Sequence, residues 1–579
     1  MRRIVVFALV LVLVVGVTAP SAHAGGGVAT NVALGLASFA VFNQLFFPFA
    51  YARPVYAAPV YSVPAYPVYV ERPVYYQHVY PTVINYPHGR YELRGDGIQP
   101  SAGRRIAIRA GWIVAFDGRG HRLLRDGVVV LEGDRILHVG PRFEGTADET
   151  VDASDRVLTP GLISTHAHLG GSPLDRSFIE DRGSPQFWYS GLFEMLPVRS
   201  GAQDEEAGRA CVDFSMAELL RGGVTTVMEI GGLGEEVVER AARYGLRVYL
   251  GLAFRSGRWL TRDGRRVVWE WNEAEGRQGL ERALALHARA DGAHGGLVRC
   301  FIAPAQIDTC TPELLKDAKR HADERGCPYQ VHAAQSVVEF NEMLARHGKT
   351  PVAWMQELGL LGPRTILGHA IIIGGSSWSN HPAGDLSLMA DAGCSVAHAV
   401  WVFARRGVAL ESFARYREAG VNMSLGTDTN PQSVIEAMRW AAVVSKLVER
   451  NTEATTAAHV FDAATLGGAR ALGRDDLGRL APGAKADLVL WRATSWRMTP
   501  LRDPVKNIVY NAADEDVDRV YVDGRLVVDG GRVLAADEAG ILRGLQAAGE
   551  RMWPRMAKHD WAGRDVDRLS PQTYPEWSA

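Results

Sequence analysis

The stretch Leu158-Thr159-Pro160-Gly161-Leu162-Ile163-Ser164-Thr165-His166-Ala167-His168 runs a short β-rich segment directly into two histidines spaced i and i+2. Residues two apart in extended chain point to the same side, so both imidazoles can reach one ion at about 2.0–2.1 Å. Outward from this stretch, between about Leu158 and Gly473, short β-rich runs alternate with helical patterns, the signature of repeated βα units on a parallel sheet. Eight strand cores are read, at 162–164, 225–229, 247–251, 298–303, 329–332, 365–368, 395–397 and 422–425, with helices such as 205–221, 235–244, 312–325 and 336–346 between them. The reading is an α/β fold, a (β/α)8 TIM barrel over 158–473, with chemistry at the C-terminal strand ends.

Candidate groups fall at those ends. His166 and His168 follow the first strand, His332 ends the fifth, His369 the sixth, and Asp428 the eighth after Leu425-Gly426-Thr427. A lone histidine at a strand end is more often a hydrogen-bonded structural residue than a ligand. Five such groups at the mouths of four strands point instead to a metal site. His287, His321 and His347 lie in helical patterns and read as surface residues.

Short antiparallel strands are expected on both flanks, broken at Asp-Gly and Gly-Asp pairs. Residues 104–157 and 474–540 together are expected to form one small β-sandwich domain, followed by a helical tail over 541–579. The chain starts differently. Arg2-Arg3, an apolar run from Ile4 to Val17 and Ser21-Ala22-His23-Ala24 have the order of a secretory signal peptide over 1–24. The apolar run falls short of the roughly 20 residues that span a bilayer, so an exported, periplasmic or secreted protein is expected. Residues 25–103 are a Pro/Tyr/Val-rich low-complexity linker with repeated Pro-Val-Tyr at 54–56, 59–61, 67–69 and 73–75. Frequent proline favours an extended spacer, the alternative being envelope or membrane association through residues 25–90.

The whole-chain composition narrows the class. The 579 residues, 47% hydrophobic and 22% charged, supply a large core. Lys plus Arg number 63 against 65 Asp plus Glu, a formal charge of -2 with no basic footprint, which excludes nucleic acid as a partner. Five cysteines without metal-ligand spacing read as small buried residues.

The quoted stretch 158–168 resembles the opening signature of the amidohydrolase superfamily. Thr465-Leu-Gly-Gly-Ala469 and Leu477-Gly-Arg-Leu-Ala-Pro-Gly-Ala-Lys-Ala-Asp-Leu-Val489 resemble the exit from that barrel into its flanking β-domain. Thr309-Cys-Thr-Pro-Glu-Leu-Leu315 is similar to the branch holding triazine hydrolases and guanine, cytosine and S-adenosylhomocysteine deaminases. The resemblance implies that His166, His168, His332 and Asp428 bind a divalent metal, zinc or iron, with His369 beside the attacking water. Binuclear members commonly use a carboxylated lysine after strand four. No lysine lies in 298–306, and Lys316 is on the following helix, so one metal is expected. The chemistry agrees: a divalent ion lowers the pKa of water toward ~7. Asp428 can accept the water's proton and pass it on, while His369 steadies the attacking oxygen or the oxyanion.

Two departures from that branch bear on substrate. Where the deaminases place Glu three residues after the strand-five histidine, this chain reads His332-Ala-Ala-Gln335. An amide can hydrogen-bond a substrate but cannot shuttle protons to a ring nitrogen, so amide or urea-like substrates gain over nucleobases. Glu229, ending strand two, either supplies an acid or serves as a structural hydrogen-bond partner. Strand seven reads Ala397-His398 in place of the usual His-Asn-Pro, and His398 either contacts substrate or packs at the barrel rim. The insert from Gly170 to Pro197 carries Phe187-Trp188-Tyr189 and Phe193; Trp188 is the candidate substrate contact, loop packing its rival.

The expectation is therefore an exported metal-dependent hydrolase of a C–N bond in a small molecule. The alternatives are an aminohydrolase or chlorohydrolase on an N-heterocycle, and a non-catalytic envelope-associated binding protein. A homodimer would suit the superfamily.

Overall fold

The computed structural model describes residues 83–86, 89–94, 97–100 and 103–577 except 179–183 and 189. Three short strands come first, Val83–Tyr86, Gly89–Arg94 and Gly97–Pro100, paired antiparallel in that order. The expected signal peptide and the Pro-Val-Tyr repeats lie outside the described residues. Strands thus begin ahead of Arg104, inside the segment read as linker. Their sequences are separated by pairs, Pro87-His88 and Gly95-Asp96, short enough for hairpin connections.

Eight parallel strands carry the central part: β1 Leu162–Ala167, β2 Val224–Gly231, β3 Arg247–Leu252, β4 Val298–Cys300, β5 Tyr329–Ala333, β6 Thr365–His369, β7 Ser395–His398 and β8 Asn422–Leu425. At least one helix follows each strand, giving a TIM-barrel type of α/β fold. The ladders form two four-stranded sheets, β4-β3-β2-β1 and β5-β6-β7-β8. Single parallel bridges cross between them, Ile302 to Tyr329 and Gln306 to His332 at one seam, Ala167 to Asp428 at the other.

β1, β5, β6 and β7 are buried along their whole length, on both faces, so their burial does not alternate. One face of the strands supplies Ile163, Met228, Tyr249, Phe301, Ile366 and Ala397 to a single apolar cluster, joined by Leu472 and Leu477. Fully burying such side chains contributes about 1.5–3 kcal/mol each. A hairpin after β3, Gly257–Thr261 paired with Val267–Trp271, was not anticipated from the sequence.

Both flanks do combine, in one eight-stranded sheet whose two halves share a buried cluster, Ile108, Val129 and Ile136 with Leu488, Leu490 and Tyr521. The joining element is Glu149–Pro160, which pairs parallel with Arg105–Phe116 on one side and antiparallel with Leu488–Arg492 on the other. Its Val151 and Ala153 are buried while Asp152 and Ser154 face out, a half-buried strand disguised by its charges. Gly111 sits where the register shifts between Ala110 and Trp112; a Cβ there would lie 2.3 Å from the Ser154 carbonyl, so only glycine lets the strands approach. Arg247, at the start of β3 and 1% exposed, reaches Asp487 at 3.0 Å and Asp523 at 2.6 Å and ties the barrel to this sheet. Removing both carboxylates would strand a buried charge.

Candidate metal centre

His166, His168, His332, His369 and Asp428, expected together from the sequence, converge at one end of the strands. His168 Nε2 lies 3.1 Å from His332 Nε2, and Asp428 Oδ1 lies 3.3 Å from His168 Nε2 and 3.7 Å from His166 Nε2. His369 Nε2 stands 3.9 Å from Asp428 Oδ2. The ligand atoms of His166, His332 and His369 fall within 4.8 Å of one another, as do those of His166, His168 and Asp428.

The tautomers are set from behind. His166 Nδ1–H donates to Gln330 Oε1 at 2.9 Å, and the Gln330 amide is held that way round because its Nε2 donates to the Thr165 carbonyl at 2.8 Å. His168 Nδ1–H donates to the Ile230 carbonyl at 2.7 Å, and His332 Nδ1–H to the Ala305 carbonyl. Three Nε2 lone pairs are thereby aimed at one point. His166 Nε2 is buried with no hydrogen-bond partner. Lone pairs facing each other at 3.1 Å, an orphaned imidazole nitrogen and an adjacent carboxylate make the donor set of a divalent ion that takes nitrogen and oxygen ligands, zinc among them.

Electrostatics keep His166, His332 and His369 unprotonated. Burial, with the neighbouring His168 second, pushes His166 down to about 3. His332 and His369 are driven well below the ordinary histidine range, again by burial first and then by the other imidazoles.

The backbone is forced where the ligands sit. His369 (φ 84°), Ala370 (φ 47°), Asp428 (φ 57°) and Ala334 (φ 57°) occupy the left-handed region, each at a cost of about 1–3 kcal/mol. Hydrogen bonds hold them there. Asp428 N–H donates to His166 O at 2.9 Å and His168 N–H to Asp428 O at 2.8 Å, locking the β1 and β8 ends together. Ala370 N–H donates to Ala333 O, and the Ala334 carbonyl accepts from both Ile371 and Ile372, doing the same for β5 and β6. Gly426 permits the first lock, since a Cβ there would meet His166 Cβ at 2.7 Å.

A cavity of about 560 Å³ opens over this cluster. Gln335, Glu229 and Trp188 line it; His398 does not. His398 is 2% exposed, its ring tilted 44° to that of Phe413 with centroids 6.3 Å apart, and burial lowers it to about 4, so it stands beneath the rim. Glu229 Oε2 accepts the Leu169 N–H at 2.7 Å, and burial pushes its carboxyl up to about 8, leaving it neutral at pH 7.

Gln330 and Glu339 were not singled out from the sequence. Gln330 lies two residues before His332 in a buried strand, so the alternation that aims His332 inward aims it too. Glu339 follows Ser336 in a Ser-x-x-Glu start to the helix Val337–His347. Its carboxylate accepts the N–H groups of Ala334 at 2.6 Å and Gln335 at 3.0 Å, fixing the turn that carries Gln335.

The sequence model described as Amidohydrolase family matches residues 157–527. The chain is 28% identical over 439 residues to a 5'-deoxyadenosine deaminase of Methanosarcina barkeri, covering 75% of this chain and 95% of that protein. It is 30% identical to a 5-methylthioadenosine/S-adenosylhomocysteine deaminase of Natronomonas pharaonis, covering 71% and 90% respectively. Among solved structures, an adenosine deaminase from Xanthomonas campestris with bound zinc shares the fold at TM-score 0.68 and 24% identity, covering 78% of this chain and 99% of that one. An atrazine chlorohydrolase of Arthrobacter aurescens TC1, complexed with zinc, does so at TM-score 0.66 and 23% identity, covering 77% and 100%.

Proposed function

The chain belongs to the amidohydrolase family, and from that premise we propose that it is a metal-dependent hydrolase cleaving a C–N bond in a small molecule, with amide or urea-like substrates first. The observation that carries this reading is Asp428 with the back-pinned His168 and His332 at the floor of one cavity, and the back-pinned His166 buried against them. His166, His168, His332 and Asp428 would hold one divalent ion, zinc or iron. When bound, such an ion supplies Lewis acidity to the water and to the electrophilic carbon's substituent.

The chain's own groups divide the remaining work. Asp428 takes a proton from the attacking water and delivers it to the departing nitrogen, so the C–N bond is exchanged for C–O and N–H bonds. His369, held neutral, steadies the attacking oxygen by hydrogen bonding. Gln335 orients the substrate from the cavity wall without exchanging protons. Glu229, a neutral acid near pH 7, can donate a hydrogen bond where an ionised carboxylate could only accept.

A second reading is an aminohydrolase acting on an N-heterocycle, favoured by the deaminase names of the relatives that the chain matches over most of their length. Gln335 favours the first reading, because the heterocycle reading asks another group to protonate the ring. A non-catalytic envelope-associated role gives no reason for the donor set to be complete. The order of residues 1–24 supports export; recovery of the mature chain from the periplasm starting near Gly25 would agree, and a retained Met1 would not.

The test is a panel of amides, ureas and N-heterocycles assayed with wild-type protein and Asp428→Asn. Turnover of an amide or urea, cut about 10³-fold or more by the substitution at unchanged folding, supports the reading. Nucleobase deamination alone transfers the assignment to the second reading, and equal rates in wild type and variant contradict the role of Asp428.

A further inference from the structure

The wall of the cavity is assembled from segments far apart in the chain, and its outermost brace lies beyond the family-matched residues. Phe187, Trp188, Leu192 and Met195 present a mostly apolar face to the cavity. Behind them, the hairpin Gly257–Trp271 packs Trp259 edge-on against Phe193 at 5.5 Å, and Phe193 against Phe187 at 5.9 Å. The C-terminal segment comes in from the other side. Helix Glu538–Met552 packs on helix Glu205–Arg221, and Met552, Met556 and Leu569 share one buried cluster with the cavity residues Phe178 and Met195.

The three segments meet at Glu194 and Trp561. Glu194 is 5% exposed; one carboxylate oxygen accepts the Ser184 N–H at 2.7 Å, and the other accepts Trp561 Nε1–H at 3.2 Å and Arg564 Nη2–H at 3.3 Å. The Trp561 ring lies so close to the hairpin tip that a Cβ on Gly264 (φ 65°) would stand 2.4 Å from it. The tail also reaches the cavity through Asp204, whose carboxylate accepts from Arg551 at 3.3 Å and Arg555 at 2.9 Å. A buried carboxylate with each oxygen engaged by a different segment fixes their spacing more tightly than apolar contact does.

We propose that the tail segment 537–569 is a specificity element of the substrate site. Through Glu194 and Trp561 it holds the wall residues Phe187, Trp188, Leu192 and Met195 in place and so selects substrates bearing a large apolar or aromatic group beside the scissile C–N bond. The inference rests on reading the cavity as the substrate site of a C–N hydrolase, but it concerns binding rather than turnover.

The test is calorimetric titration of the full-length, metal-loaded protein with phenylurea and methylurea, in wild type, Trp561→Ala and Trp561→Phe. Wild type should prefer phenylurea. Trp561→Ala should weaken phenylurea about tenfold, the scale of losing one apolar contact surface, while leaving methylurea and metal content unchanged. Trp561→Phe keeps an aromatic ring but loses the N–H that Glu194 accepts and part of the ring surface against Gly264, and is expected to weaken phenylurea by about twofold to threefold with native folding, so the proposal stays testable if the alanine variant fails to fold. A wild type without preference for phenylurea, or variants that lose both ureas alike or neither, overturns the proposal. Absence of turnover of both ureas would count against C–N hydrolysis and leave the binding comparison intact.

Discussion

The metal corner and the cavity wall are neighbours built on opposite principles. In the corner, each ligand sits at the end of a parallel strand, and three of the histidines are pinned by a single partner behind them, Gln330, Ile230 O or Ala305 O. In the wall, the residues ride on an insert after β1, and their positions depend on a hairpin after β3 and a tail beginning more than a hundred residues past β8. The corner is held by short-range strand geometry and the wall by long-range packing. With the roles proposed above, chemistry and specificity are separable in this molecule, and a substitution should disturb one while sparing the other.

The largest effect that would break this separation belongs to Gln330. Replacing it with leucine removes the acceptor of His166 Nδ1–H and leaves that buried donor unpaired. Metal affinity, measured by competition with a chelator, is expected to fall about 10–100-fold, the usual consequence of losing a partner behind a ligand histidine. The relative affinity for phenylurea and methylurea in the remaining loaded protein should not change. A shift in that ratio would show that corner and wall are coupled.

A smaller effect comes from acid. The folded-state pKa of His166, about 3, lies below its ordinary value of 6.5, so the unfolded chain binds its proton first. The stability this group contributes is fully present above pH 6.5 and is lost as pH falls toward 3. Metal-free protein should accordingly melt at progressively lower temperature from pH 7 to pH 4, with His332 and His369 adding in the same direction. A melting temperature that holds constant over that range would contradict the buried, neutral histidine cluster.

The same division explains what was legible in the sequence. Strand positions, the His166-Ala-His168 pair and the strand-end placement of His332, His369 and Asp428 follow from local periodicity, and the structure brings all five together. Gln330 was within reach of the same rule, because alternation places it on the side of His332. The wall was not. Nothing in the local pattern around Glu194 tells that Trp561 reaches it, or that Trp561 lies against Gly264, since packing between distant segments leaves no periodic trace. The strand that joins the two flanks escaped for a related reason: Glu149–Pro160 hides a half-buried alternation among acidic residues, and its pairing joins strands more than three hundred residues apart.

The most direct measurement is metal analysis of the purified full-length protein alongside its hydrolase activity, repeated on His166→Ala. The expected result is about one divalent ion per wild-type chain, with ion and activity lost together in the variant while the fold persists. Ion-free wild-type protein that keeps full hydrolase activity would contradict the assignment of His166, His168, His332 and Asp428 as the ligands of a catalytic metal.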